Sequence, residues 1–295
     1  ATDYVDPDIL DLIEDFRSKT APARKIKLSL VGFKDRYPQL PDTIQFIDHT
    51  NRRLQNALNP KQVLQVIREG NRRFAAGQRL ERDLLRQVKA TAPNQAPLAV
   101  ILSCMDSRAP AELIFDMGIG DVFSVRIAGN VAKSKVLGSL EYGCAVAGAK
   151  LALVLGHTSC GAVTAAVNFF ESSEKPSEAT GCGHLNVIVD ELQKSIVPAE
   201  FRLVPKDDPV ARSRYVDRVA RANVLTTIER IVSESRALRT LLYATKIELV
   251  GGVYDVHTGE VDLFDQNGAP IPEVGLEPTS RPSLRPSAPH DVVTA

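Results

Sequence analysis

Two short aliphatic runs constrain this chain most, because each ends on a residue type that binds metals. PLAVILSC (97–104) and KLALVLGH (150–157) are β-branched and aliphatic, and they stop at Cys104 and His157. Apolar runs of this length without polar alternation read as strands buried on both faces of a parallel sheet, which places both residues on the same sheet edge. Cys160 follows three positions after His157 in H-T-S-C-G (157–161), where small residues lead into CGAVTAAVNFF, the start of a helix. Two thiolates and an imidazole suit Zn2+, one ion per chain, and three protein ligands with an open fourth position mark a catalytic rather than a structural site. The competing reading is four unremarkable cysteines in a reducing compartment, two of them near strand ends. Neither paired C-x-x-C spacing nor a disulfide ladder competes with the zinc reading.

Asp106 and Arg108, in C-M-D-S-R (104–108), begin two residues after Cys104. A carboxylate beside a guanidinium stays ionised at neutral pH, so Asp106 can accept a hydrogen bond from whatever occupies the fourth zinc position. Taken alone the pair would be an ordinary surface ion pair. Beside Cys104 it becomes a catalytic candidate.

These motifs resemble the β-class carbonic anhydrases. The resemblance runs over residues 58–265 and rests on G-N-R-R-F (70–74), C-M-D-S-R (104–108), R-I-A-G-N (126–130), G-S-L-E-Y (138–142), H-T-S-C-G (157–161) and V-Y-D-V-H-T-G-E-V (253–261), in the family's order. It implies reversible hydration of CO2 to bicarbonate by zinc-activated water, with Asp106 and Arg108 as the orienting dyad. It also implies substrate-binding roles for Gln95, Phe123 and Tyr142, which in the family can come from the neighbouring subunit, so a homodimer is the minimal complete enzyme. Each of the three reads equally as a turn or core residue. Some members close the site by swinging the aspartate onto the zinc, favoured by an anion site that includes a tryptophan. This chain has no tryptophan, so an open site with Asp106 on Arg108 is expected. Two alternatives remain: hydrolysis of carbonyl sulfide or carbon disulfide on the same scaffold, and a non-catalytic zinc module attached to a bicarbonate transporter.

The expected fold class is α/β, with a mostly parallel central sheet flanked by helices and an N-terminal helical arm. Strands are expected over 97–104, 121–128, 150–157 and 246–253. Helices are expected over the NPKQVLQVIREGNRRF segment, where Asn59 caps and Pro60 opens the first turn, and over 111–117, 136–149, 160–171, 184–196 and 209–243. In such sheets ligands bind beyond the carboxyl ends of the strands, where Cys104 and His157 stand.

The chain divides into an N-terminal α-β extension (1–57), a catalytic domain (58–265) and a Pro-rich tail (266–295) that holds six prolines and is expected to be disordered. In the extension, DILDLIEDF has helical spacing and KIKLSLVGF reads as a strand. It resembles the last part of the STAS-type domain found in some membrane transporters, and reads equally as an ordinary extension, so association with a transporter is one expectation. With 36 basic and 36 acidic residues, nothing favours nucleic acid as a partner. The first residues lack a signal-peptide pattern and no apolar stretch approaches a membrane span, so the expectation is a cytoplasmic protein.

Overall fold

The computed structural model describes residues 5–24, 26, 28, 30 and 49–272. Its strands are β1 (Ala99–Ser103), β2 (Val122–Arg126), β3 (Leu151–His157), β4 (Glu248–Tyr254) and β5 (Val261–Phe264). They form one sheet in the order β2-β1-β3-β4-β5, parallel throughout except for the antiparallel β4–β5 pair. β1 and β3 lie in the middle and every residue of both is buried, which is why their sequences run apolar without alternation. The α/β expectation holds, and so do its four strands. β5 is an addition: VDLF follows a tight turn and is too short to announce itself by periodicity.

Successive strand residues face opposite sides of the sheet, so the core divides in two. On one side Ile101, Leu153 and Val250 pack with Val63, Leu64 and Ile67 of the helix Pro60–Ala75. On the other, Val100, Leu102, Val154 and Leu249 pack with Val224, Ile228 and Ile231 of the long helix Pro209–Glu234. A third cluster sits at the carboxyl edge, where Cys104 and Cys160 join Val163, Leu192, Tyr215, Val216 and Val219.

The G-N-R-R-F segment explains how the helix Pro60–Ala75 is seated. That helix starts as expected, with a capping box between Asn59 and Gln62. A Cβ at Gly70 would stand 1.8 Å from the Phe115 carbonyl oxygen, so only glycine allows the helix this close. Asn71 then donates to the Ile114 and Gly259 carbonyls and accepts from Val261 N–H, tying the helix to the β4–β5 hairpin. Arg73 reaches the fully buried Asp116, which Arg82 also pairs, each at 2.6 Å.

The expected helix over 209–243 is two helices, Pro209–Glu234 and Arg236–Tyr243. Ser235 breaks them: its backbone is extended, its Oγ accepts from Leu238 N–H, and it donates to Glu141 at 2.6 Å. Serine competes for backbone hydrogen bonds in this way and so favours caps over helix interiors. The 111–117 helix is shorter, Ala111–Ile114, and the 136–149 helix begins earlier, at Ser134, and ends in a wide turn over Tyr142–Val146.

The N-terminal helix is Pro7–Asp15, capped by Asp6. Leu10 and Leu30 form a small cluster of their own with Val5, Ile13 and Leu28. The KIKLSLVGF strand falls largely, and the PQLPDTIQFIDHT stretch mostly, outside the described residues, as does the tail from 273 onward. No helix of the described residues is long and apolar enough to cross a membrane.

Candidate metal centre

The sheet register brings the trio together. Ser103 of β1 pairs with Leu155 of β3, so Cys104, one step further along, is level with Gly156 and beside His157, the last residue of β3. A Cβ at Gly156 would lie 2.8 Å from Val224 of the long helix, so glycine there lets the helix press on the strand end. Cys160 is the N-cap residue of the helix Gly161–Asn168, where backbone N–H groups and the helix dipole favour a thiolate. The ligand atoms of Cys104, His157 and Cys160 all lie within 4.8 Å of one another. All three residues are buried, and among the described residues no other His/Cys/Asp/Glu group of three or more is gathered in this way.

The two sulfurs are 4.0 Å apart, close enough that the charge of each bears on the other. The neighbouring Cys160 sulfur, with a smaller contribution from Gly129 N–H, pulls the Cys104 thiol well below its ordinary value. The same contact, together with burial, pushes Cys160 up. Nδ1 of His157 stands 2.9 Å from the Thr158 carbonyl, which makes Nδ1 the protonated nitrogen and turns the Nε2 lone pair toward the sulfurs. Nε2 is buried and has no hydrogen-bond partner. A buried orphan nitrogen facing two buried sulfurs is unfavourable unless a cation lies between them. The residues therefore fit zinc, a borderline-soft ion bound by thiolate and imidazole.

Asp106 stands at the mouth of this group. Arg108 donates to it three times: backbone N–H to Oδ1 at 2.9 Å, Nε to Oδ1 at 3.0 Å and Nη2 to Oδ2 at 2.8 Å. These bonds hold its carboxyl at about 2, well below the usual carboxylate range. Oδ2 lies 3.9 Å from His157 Nε2, so the carboxylate that pairs with Arg108 also faces the trio. Arg126 donates to the carbonyls of Cys104 and Asp106, fixing the C-M-D-S-R loop from β2.

Gln95, Phe123 and Tyr142 are not gathered at the trio within one chain. Phe123 pairs with Val100, four residues before Cys104 along β1, which is roughly 13 Å at strand rise. Tyr142 packs on Phe123 with ring centroids 6.2 Å apart. Gln95 is exposed and lines a small cavity with Thr91, Ile119 and Gly120 at the amino end of β1.

Several contributors were not singled out by sequence reasoning. Gly129 has φ 65 and directs its N–H at Cys104 Sγ, 3.4 Å away, while its carbonyl accepts from Asn223 at 2.8 Å. R-I-A-G-N carried that signal as a motif, without the role. Asp217 accepts from Ser159 N–H at 2.8 Å, a contact between distant segments that no local pattern announces. Cys144 lies in the core, its thiol pushed up to about 12 by burial.

A sequence profile of the carbonic anhydrase family matches residues 99–261. The chain is 35% identical over 211 residues to carbonic anhydrase 2 of Mycobacterium tuberculosis, covering 71% of this chain and 95% of that protein. It is 36% identical over 212 residues to a carbonic anhydrase of Mycolicibacterium smegmatis, covering 71% and 96%. A tetrameric β-carbonic anhydrase structure from Sordaria macrospora superposes with a TM-score of 0.51 at 24% identity, covering 60% of this chain and 84% of that one. One from Aspergillus fumigatus gives 0.52 at 23%, covering 62% and 82%. At those identities the structures show a shared fold.

Proposed function

This chain belongs to the β-carbonic anhydrase family, and from that premise we propose that it hydrates CO2 reversibly at one zinc held by Cys104, His157 and Cys160, with Asp106 and Arg108 as the orienting dyad. The observation that carries the reading is the buried, unpartnered Nε2 of His157 facing two sulfurs 4.0 Å apart. When bound, zinc supplies the Lewis acidity that makes water a nucleophile near neutral pH.

The side chains do the rest. Asp106, its carboxyl held ionised by Arg108, would accept a hydrogen bond from the nucleophilic water and so turn a lone pair of the water oxygen toward the carbon of CO2. Arg108 keeps that carboxylate off the cation by occupying both of its oxygens. Gly129 N–H and the N-terminus of the helix Gly161–Asn168 stabilise the two thiolates, and the Thr158 carbonyl holds His157 in the tautomer that presents Nε2. The excess proton leaves to buffer.

Gln95, Phe123 and Tyr142 reach the substrate only from a second copy, which makes a homodimer the smallest working unit in this reading. Support comes from the side chains around Tyr142: it is 54% exposed and Val146, one helical turn on, 69%, an apolar face that a partner would cover.

Metal analysis and stopped-flow CO2 hydration on purified protein test the proposal. About one zinc per chain is expected, and Cys160→Ala should lose both metal and turnover, since two ligands hold zinc poorly. Full zinc occupancy in Cys160→Ala, or undiminished hydration by the metal-free protein, would refute it.

A further inference from the structure

The turn that joins His157 to Cys160 is buried at both ends, and its two half-buried middle residues are held by hydrogen bonds. Thr158 lines a cleft of about 930 Å³ together with Asp217, Asp255, Arg214 and Arg218, so one side of the turn has no core behind it. Ser159 at its tip has φ 53, the left-handed region that crowds the Cβ of any residue but glycine. Such a conformation persists only where its surroundings impose it.

Both backbone groups of Ser159 are clamped. Asp217, on the long helix Pro209–Glu234, accepts its N–H through Oδ1 at 2.8 Å. Arg108 donates from Nη2 to its carbonyl at 3.2 Å. The neighbouring Thr158 is fixed separately, its N–H on the Tyr254 carbonyl at 2.9 Å and its hydroxyl accepting from Val256 N–H at 3.1 Å. Ser159 is thus the point where the long helix, the metal ligands and the Asp106–Arg108 dyad meet, and a carboxylate is the stronger acceptor for an N–H held against its preferred conformation.

We propose that Asp217 is a positioning residue for the metal centre: by holding the Ser159 amide it sets the turn that fixes the separation and aim of His157 and Cys160. The inference rests on the zinc reading above and adds a residue outside the ligands and the dyad. Asp217 touches neither metal nor substrate. It acts through the backbone of Ser159.

Cobalt substitution of the full-length protein tests this without relying on turnover, because the visible bands of Co2+ report ligand geometry directly. The second readout is the rate at which the metal is lost to an excess of a coloured chelator. Asp217→Ala should shift the cobalt bands and lose metal about 10-fold to 100-fold faster, the usual scale for removing a residue that supports a ligand. Asp217→Asn retains an acceptor oxygen and should stay within a few-fold of wild type. Adding Ser159→Gly to Asp217→Ala should recover part of the loss, since glycine adopts the turn without strain. Wild-type bands and wild-type metal loss in Asp217→Ala, with or without a lower melting temperature, would overturn the proposal. Should that variant fail to fold, Asp217→Leu decides, because it keeps the bulk at that position and offers the Ser159 amide no acceptor, and unchanged bands would again refute the proposal. A wild-type protein that shows no thiolate-to-cobalt absorption fails the zinc reading itself, and this inference with it.

Discussion

Asp106 and Arg108 form a closed pair at the mouth of the Cys104–His157–Cys160 group, with Nε on one carboxylate oxygen at 3.0 Å and Nη2 on the other at 2.8 Å. The pairing occupies both oxygens yet leaves lone pairs facing the trio. Asp106→Asn should therefore keep its metal, since no ligand is touched, while the amide loses the charge that orients the nucleophile. Hydration should fall on the order of 100-fold, the common scale for a positioned proton acceptor. Zinc content and turnover measured on the same preparation check this. Unchanged turnover would reduce Asp106 to a structural ion pair.

Glu191 offers a stability test away from the metal. Its carboxylate is 7% exposed and is shared by Lys133, Lys194 and Arg230. Burial opposes its charge, but the three cations outweigh burial and bring the carboxyl down to about 2. A depressed folded pKa adds stability that is complete above the unfolded value, about 4.3, and is lost as pH falls toward 2. Two of the cations are half exposed, which screens the effect to about 1–2 kcal/mol. Glu191→Gln should cost that much at pH 7 by urea unfolding, and the gap to wild type should narrow below about pH 4 and close toward pH 2. A gap that does not change with pH would exclude the ionic origin.

How far a sequence discloses a site depends on whether the signal is local. Cys104, His157 and Cys160 were legible because ligand chemistry coincided with strand ends and a helix start. The break at Ser235 was not, since apolar residues continue on both sides of it at helical spacing. Asp217 sits among other charged residues in RSRYVDR, and its role exists only because the long helix packs beside a turn 58 residues away. Phe123 and Tyr142 were singled out only through the family resemblance, and the place of Phe123 at the far end of the strand from Cys104 follows from the register of β1 with β2.

Domain limits show the same dependence. The proposed catalytic unit of 58–265 stops short of contacts on both sides. Gln55 is buried and donates to the Pro97 and Ala147 carbonyls at 2.7 and 3.0 Å, and Thr50 N–H donates to the buried Asp121 at 2.9 Å. At the other end Ile271 N–H bonds to Leu263, and Arg68 to the Pro272 carbonyl. Orphaning such buried groups costs about 1–3 kcal/mol each. A chain of residues 49–272 should melt well above one of 58–265 and close to the full-length protein. Equal melting temperatures for the two shorter chains would show that the flanking contacts contribute nothing.

The exposed face around Tyr142 and Val146 carries the last prediction. Phe123, on the outer strand β2, packs against Tyr142 and stands four residues short of Cys104 in register, roughly 13 Å along the strand. If both rings wall the substrate pocket of a second copy, oligomerisation and turnover must be lost together while zinc stays. Val146→Asp places a charge on the exposed apolar face without touching a ligand, the dyad or the Phe123–Tyr142 contact. Burying an unpaired charge in an interface is costly enough to separate the copies. Sedimentation should then show monomers that hold zinc and hydrate CO2 at least 10-fold more slowly, with turnover per chain recovering as protein concentration rises. A fully active monomer would show that one chain completes the pocket by itself and would remove Gln95, Phe123 and Tyr142 from the site.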